Sequence, residues 1–265
     1  MPNRADKILQ DIELERLRRE NLTVEELRET YNKLEEQNFP DRDRIKFIAD
    51  LGACREIAYH YELICKEWED GSKLNLSSSF DKHGREGILF LLKELNKTQD
   101  EKQKIYTAYL VCENLSKMKH RDFYEDFCDR INPELASLLT TKDNNLRQKV
   151  IIAFGFVGLV REVDILTKQL LKDEDSLCRA YSTSSLMQMS FHRVKAELVS
   201  KMTAKLFAEV IEKEQDLEAL AIMIESSQIL FEKRWLSATA LDGLDSEKLE
   251  KARKSAVKFL TKYDS

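Results

Sequence analysis

The residues of this chain whose types could do chemistry are few and widely separated. Histidine is the commonest general base and metal ligand, but no histidine here lies in an HExxH pattern or directly precedes a glutamate. The four are His60, His83, His120 and His192. No glycine-rich phosphate loop, GxSxG or CxxC motif occurs either. The sequence therefore predicts no catalytic residues, no cofactor site and no metal site, and a protein that is not an enzyme.

The cysteines are odd in number and unpaired in pattern. Cys54, Cys65, Cys112, Cys128 and Cys178 each lie in an apolar, helical context, which predicts buried thiols in a reducing compartment. A reactive or metal-bound cysteine is the alternative. The first residues lack the apolar core of a signal peptide, and no apolar run reaches the roughly 20 residues that span a bilayer. We therefore expect a cytoplasmic protein that does not cross a membrane.

The elements that position these residues are expected to be helical. Among 265 residues there are only 7 Gly and 3 Pro, and 34% of the residues are charged, a composition typical of helices. Two segments repeat one phrase at an offset of 32 residues: a short apolar helix, a turn with Asp, and a helix with Arg. The matching pairs are Asp143/Asp175, Leu146/Cys178, Arg147/Arg179 and Phe154/Leu186. Repeated helix pairs of this period indicate an α-solenoid.

The repeated phrase resembles a HEAT repeat. The resemblance covers residues 82–235, is good at two units and is weaker near Asp100 and Asp216. It implies that the turn acids and the second-helix arginines pair along the stack. Carried over, Asp143 and Asp175 would be the acids, and Arg147 and Arg179 the bases, of a structural ladder. Arginine suits a partly buried pair because its guanidinium is planar and rigid.

The predicted fold is all-α, a right-handed solenoid of antiparallel HEAT-like helix pairs with helical caps at both ends. Residues 1–70 are expected to form an N-terminal helical cap or hairpin, and residues 71–81, with three consecutive serines, a linker. The repeat array is assigned to residues 82–236. Residues 237–265 are assigned to a C-terminal capping helix, whose polar outer face would keep the array soluble.

The second helices are expected to line a concave surface that binds a partner. Eight residues are predicted to point into it: Lys149, Ile152, Phe156, Tyr181, Ser184, Gln188, Glu225 and Gln228. The run of small polar residues 182–185 predicts close packing of a neighbouring helix, with contact to a partner as the alternative.

The function predicted from these features is non-catalytic protein binding, as a scaffold or as an inhibitor. One version is an immunity-type protein that neutralises a toxin, since the net charge of −5 suits a basic protein partner. The same charge argues against nucleic acid, whose phosphates attract basic proteins. The alternative is a nucleic-acid-binding protein or a HEAT-like alkylpurine DNA glycosylase, for which Trp68 and Trp235 are the candidate aromatic residues. A regulatory subunit that dimerises through its N-terminal hairpin is a third possibility, and the oligomeric state is left open.

Overall fold

The computed structural model describes residues 4–263, which form fourteen α-helices, one 3-10 helix and no strand. Residues 1–3 of the predicted N-terminal cap and residues 264–265 of the predicted C-terminal cap lie outside this range. The helices are α1 Arg4–Glu20, α2 Val24–Glu36, α3 Asp41–Ala53, α4 Ile57–Asp70, α5 Gly84–Lys97, α6 Glu101–Lys117, α7 Tyr124–Leu138, α8 Asn144–Val157, α9 Val160–Lys172, α10 Ser176–Met189, α11 Ala196–Lys213, α12 Leu217–Leu230, α13 Ala238–Asp242 and α14 Ser246–Leu260, with the 3-10 helix at Leu76–His83. The predicted all-α solenoid is confirmed, and its right-handed sense stays a prediction.

Four aspartates set the repeating pattern of the chain. Each is the N-cap of the second helix of a pair and accepts a hydrogen bond from the backbone N–H three residues later. They are Asp100 before α6, Asp143 before α8, Asp175 before α10 and Asp216 before α12. These caps fix where each second helix begins, and therefore the register of its side chains.

The chain divides into two compact units, Met1–Thr98 and Gln99–Ser265. In the second unit, α6, α8, α10 and α12 pack one on the next, while α7, α9 and α11 lie between them along the chain and cover one side. Large apolar side chains fill the space between the two layers; Phe127, Phe154 and Phe207 are completely buried. At the end of this unit, α14 packs on α11 and α12 through Leu249 and Ala256, which covers the apolar side of the last pair.

The first unit does not contain the linker that the serine-rich composition predicted. Residues 76–83 form a 3-10 helix that packs against α3, α4 and α5. Leu76 and Phe80 are each 1% exposed, and the Ser79 hydroxyl donates a hydrogen bond to the Ile48 carbonyl. Residues 71–75 have no regular structure, but residues 76–81 of the predicted linker pack into the first unit because two well-spaced apolar residues outweigh three serines; the division between the compact units follows Thr98.

Two histidines lie at the centre of the first unit. His60 on α4 is buried, and its Nδ1 lies 2.9 Å from Nε2 of His83. Its Nε2 lies 2.9 Å from the Leu76 carbonyl oxygen. Since a carbonyl can only accept, His60 carries its proton on Nε2 and accepts from His83 at Nδ1. This chain of hydrogen bonds joins α4 to both ends of the 3-10 helix.

Helix α1 is attached to the first unit mainly by charge. Arg18 and Arg19 reach the Asp50 carboxylate on α3, at 2.7 Å and 3.2 Å. The large aliphatic side chains of α1 are 41–65% exposed. They are Ile8, Leu9, Ile12, Leu14 and Leu17. Residues 4–70 form four helices with short connections, and the first helix adds little to the apolar core.

Candidate functional site

The second helices of the second unit share one pattern of outward-facing side chains. Counting from each N-cap aspartate, the residues at offsets 2, 6, 9 and 13 lie on one side of the helix, since positions three and four apart are neighbours. We call the surface formed by these sixteen residues the second-helix face. Its rows are Lys102, Tyr106, Tyr109 and Glu113 on α6; Asn145, Lys149, Ile152 and Phe156 on α8; Leu177, Tyr181, Ser184 and Gln188 on α10; and Glu218, Ile222, Glu225 and Ile229 on α12.

None of the sixteen side chains is fully buried, although most of the positions between them are. On α10, for example, Ser182 and Thr183 are completely buried while Tyr181 and Ser184 on either side keep partial exposure. The face is therefore a solvent-accessible surface on helices whose other sides belong to the core.

Side chains from neighbouring rows contact one another across the middle of the face. The Lys149 ammonium lies 4.5 Å from the ring centre of Tyr106 and 5.0 Å from that of Tyr109. Phe156 packs edge-on against Tyr109, with ring centres 6.1 Å apart, and against His192, just after α10, at 6.0 Å. Gln188 in turn lies 3.1 Å from the His192 ring. The rows of α6, α8 and α10 thus form one continuous surface.

Partial burial also tunes the ionisable groups of this surface. It lowers the pKa of Lys149, which the charge of nearby Glu113 opposes. It raises the pKa of Tyr109 to about 12, and it lowers the pKa of His192 to about 4, with a smaller contribution from Lys119. At neutral pH the face therefore presents neutral rings and a partly desolvated ammonium.

Seven of the eight residues predicted to contact a partner lie on the second-helix face. They are Lys149, Ile152, Phe156, Tyr181, Ser184, Gln188 and Glu225. Gln228 does not, because its side-chain oxygen accepts hydrogen bonds from the backbone N–H groups of Trp235 and Leu236 and holds the loop after α12. The sequence prediction missed Tyr106 and Tyr109. Counting the same offsets from every capping aspartate would have found them.

The Asp/Arg ladder exists, but its acids are not the predicted ones. Arg147 forms a two-pronged ion pair with Asp173, at 2.7 Å and 2.8 Å, and Arg179 pairs with Glu214 at 2.7 Å. Asp143 instead caps α8. Asp175 caps α10 and also accepts from Asn144 and Gln148 of the preceding pair. The predicted acids were wrong: the carboxylates of Asp143 and Asp175 cap the first turn of their own helices, and the two arginines pair with Asp173 and Glu214 instead.

The true ladder acids lie two residues before each capping aspartate. From there Asp173 accepts from the Asp175 N–H and Glu214 from the Asp216 N–H, so each acid ties a cap to the preceding pair. Before the capping aspartate of α8, the matching position is Thr141, whose hydroxyl accepts a hydrogen bond from the Asp143 N–H. A threonine cannot pair with a cation, and the chain has Lys104 rather than Arg at the matching position of α6.

Helices α8 and α10 approach closely below the middle of the face. The Ser185 hydroxyl on α10 donates to the Ile151 carbonyl on α8 at 2.8 Å. A Cβ placed on Gly155 would lie 3.1 Å from the Ser185 Cα and 3.0 Å from the Gln188 Cβ. The small residues of 182–185 thus allow close helix packing, as predicted, and Gly155 is the matching small residue on α8.

We expect Gly155→Val to destabilise the second unit by about 1–3 kcal/mol, as overpacking does in well-packed interiors. A valine side chain there would have to push α10 away, since the Ser185 Cα, a backbone atom, lies 3.1 Å from the position of the new Cβ. Urea unfolding followed by Trp235 fluorescence in a Trp68→Phe background measures the change. Lys168→Val, at an exposed position of α9, is the control for placing a β-branched residue in a helix of the second unit. Equal stability of Gly155→Val and the parent protein would contradict the close approach.

Both tryptophans and most of the cysteines pack within the fold. Trp235 packs on Phe259 with ring centres 5.7 Å apart, and Trp68 packs on Tyr61 at 6.1 Å. Four of the five cysteines are buried, and Cys65 is partly exposed. Within residues 4–263 no group of three or more His, Cys, Asp or Glu side chains is placed to hold a metal ion. The same residues include no helix that is both long and apolar enough to cross a membrane.

Comparison with known proteins identifies a repeat family in the second unit and the end of the first. A family model described as HEAT repeats matches residues 88–187. That segment contains the α6 and α8 rows of the second-helix face, the α10 row except Gln188, and Asp173 of the ladder. No curated protein and no solved structure matches the chain significantly.

Proposed function

We propose that this chain, in which residues 88–187 match HEAT repeats, is a non-catalytic interaction module. A HEAT-repeat segment supports a protein-interaction scaffold kind of role. The finer proposal is that the partner is a protein and that it binds on the second-helix face, as a scaffold's client or as the target of an inhibitor.

The observation that carries this proposal is the composition of the middle of that face. Four aromatic side chains with partial exposure lie on three second helices that pack one on the next, α6, α8 and α10: Tyr106, Tyr109, Phe156 and Tyr181. Protein interfaces are enriched in aromatic residues and depleted of charge at their centres, and tyrosine is frequent among the residues that dominate binding energy. On α8 and α10, the eight face positions include one charged residue, Lys149. The charged glutamates lie at the margins, as in an interface rim.

The charges of the face favour protein over nucleic acid as the partner. Its sixteen residues include two lysines and three glutamates, whereas binding to a phosphate backbone requires a basic surface. The two tryptophans considered for a glycosylase-like site lie outside the face. A toxin is one partner that fits the proposal, as in the immunity-type version, and a basic one would meet the marginal glutamates.

Affinity capture from the cells that make this protein tests the proposal with three forms of the chain. One is the wild type, one carries Tyr109→Ser and Tyr181→Ser, and the control carries Leu198→Ser and Met202→Ser on exposed positions of α11. We expect proteins that are retained by the wild type and the control to be lost from the double tyrosine variant, with nuclease treatment making no difference.

Circular dichroism of each variant ensures that lost binding reflects the surface and not unfolding. The same proteins recovered with all three forms would overturn the assignment of the face. Nucleic acid as the only material lost from the tyrosine variant would favour the nucleic-acid alternative.

A further inference from the structure

We infer that Lys149 and the aromatic side chains around it bind a carboxylate group carried by an otherwise apolar segment of the partner protein. The inference rests on the proposed function and specifies the chemistry of the partner at the centre of the second-helix face. The carboxylate would belong to an Asp or Glu side chain or to a C-terminus.

The first argument is that Lys149 has no ion-pair partner within the described array; the charge of Glu113 acts on it only through space and does not overcome the effect of burial. By contrast, the two ladder arginines, Arg147 and Arg179, form ion pairs with Asp173 and Glu214. Lys149 makes ring contacts with Tyr106 and Tyr109, and in the part of the chain that the structure describes it makes no ion pair and no hydrogen bond. Three N–H donors of an ammonium are therefore left for water or for a ligand.

The second argument is that this ammonium is partly removed from water. Two tyrosine rings hold it in place, and partial burial disfavours its charged form enough to lower the pKa. A carboxylate that docks beside it would restore the lost charge stabilisation, and charge-assisted hydrogen bonds are among the stronger polar interactions. Because the lysine is already held in position by the rings, little further side-chain ordering is required on binding.

The third argument is that the surroundings select against a fully polar ligand. Ile152 and Phe156 follow Lys149 on α8, and Tyr181 and Leu177 stand on α10. Such side chains contribute by burying apolar surface, roughly in proportion to the area removed from water. A segment in which one acidic residue is flanked by aliphatic or aromatic residues matches both features, whereas a polyanion would leave the apolar part uncovered.

Selection from a library of random linear peptides tests this inference without the natural partner. The baits are the wild type, Lys149→Met, Lys149→Arg, the double Tyr109→Ser/Tyr181→Ser variant, and Lys168→Met, an exposed lysine on α9, as the control. We expect the wild type, the Lys168→Met control and Lys149→Arg to enrich peptides with one acidic residue beside apolar ones. Such a peptide, made synthetically, should bind Lys149→Met about tenfold or more weakly than the wild type.

The outcomes separate this inference from the proposed function. Peptides that depend on Tyr109 and Tyr181 but are not acidic, or bind Lys149→Met equally well, would overturn the carboxylate site and leave the binding face standing. Enrichment that is the same on the double tyrosine variant, or no enrichment on the wild type above an empty support, would count against both.

Discussion

Asp173→Ala is expected to lower the free energy of unfolding of the second unit by about 3–5 kcal/mol, the range seen when one partner of a buried ion pair is removed. The Asp173 side chain is 3% exposed and that of Arg147 is 12% exposed. Without the carboxylate, the guanidinium keeps the Thr141 carbonyl and the Asn144 side chain as its acceptors among residues 4–263. The backbone N–H of Asp175 loses its acceptor as well.

Asp143→Ala is the matched control for this effect. It removes the aspartate that was predicted to be the ladder acid and that instead caps α8. Loss of an N-cap costs about 1 kcal/mol, so the two alanine variants should differ severalfold in urea unfolding followed by Trp235 fluorescence. Equal destabilisation by the two substitutions would contradict the assignment of Asp173 to the ladder.

A double variant distinguishes the loss of the ion-pair attraction from the cost of leaving the Arg147 charge buried and unpaired. Arg147→Met together with Asp173→Leu removes both charges and keeps apolar volume between the pairs. Replacing a buried ion pair by apolar residues is often neutral or stabilising, so we expect the double variant to recover most of the stability lost in Asp173→Ala. A double variant less stable than Asp173→Ala would show that the pair has a larger net attraction than we assign to it.

The first unit is expected to lose stability as the pH falls from about 6.5 toward 4, because of the buried His60 and the partly buried His83. Burial lowers the pKa of His60 from 6.5 to about 3 and that of His83 to about 4, the latter opposed by Asp81. Below pH 6.5 the unfolded chain therefore binds protons that the folded chain does not, which favours unfolding. The contribution is fully present above pH 6.5 and is lost progressively down to the folded pKa values. Each pKa unit corresponds to about 1.4 kcal/mol.

Unfolding of a Trp235→Phe variant, in which Trp68 reports the first unit, measures this loss at several pH values. Carboxylates also titrate in this range, so the comparison is with His83→Gln in the same background. Glutamine can still donate to His60 and does not titrate, and we expect a shallower loss of stability on acidification. His120→Gln, at an exposed position of the second unit, should leave the profile of Trp68 unchanged. If the free energy of unfolding falls equally steeply with pH in His83→Gln and in its parent, the histidine explanation is wrong.

The sequence predicted those parts of the fold that depend on local interactions. A capping aspartate acts on a backbone group three residues away, so the sequence alone marks the starts of four helices. The capping residues are Asp100, Asp143, Asp175 and Asp216. The apolar periodicity between them then gave the helix pairs. Because the same caps set the rotation of each second helix, most of the face residues could be predicted from it.

The parts that were missed depend on contacts distant in sequence. Asp173 is 26 residues from Arg147, and Glu214 is 35 residues from Arg179, so neither pairing follows from local spacing. Leu76 and Phe80 read as part of a polar linker, since their burial depends on α3 and α4. Gln228 has the right chemistry for a surface contact, and only the path of the loop at 235–236 reveals its structural role.

None of the sixteen face residues is a capping aspartate, a ladder acid or a ladder arginine. The side chains that hold the array in register and those that meet solvent on the second helices are therefore separate sets. Substitutions in the second set can accumulate or be engineered at little cost to folding, so the same frame can acquire a new specificity by surface changes alone. Retargeting such a chain is a problem of sixteen positions on a regular grid, with the rest of the sequence left as it is.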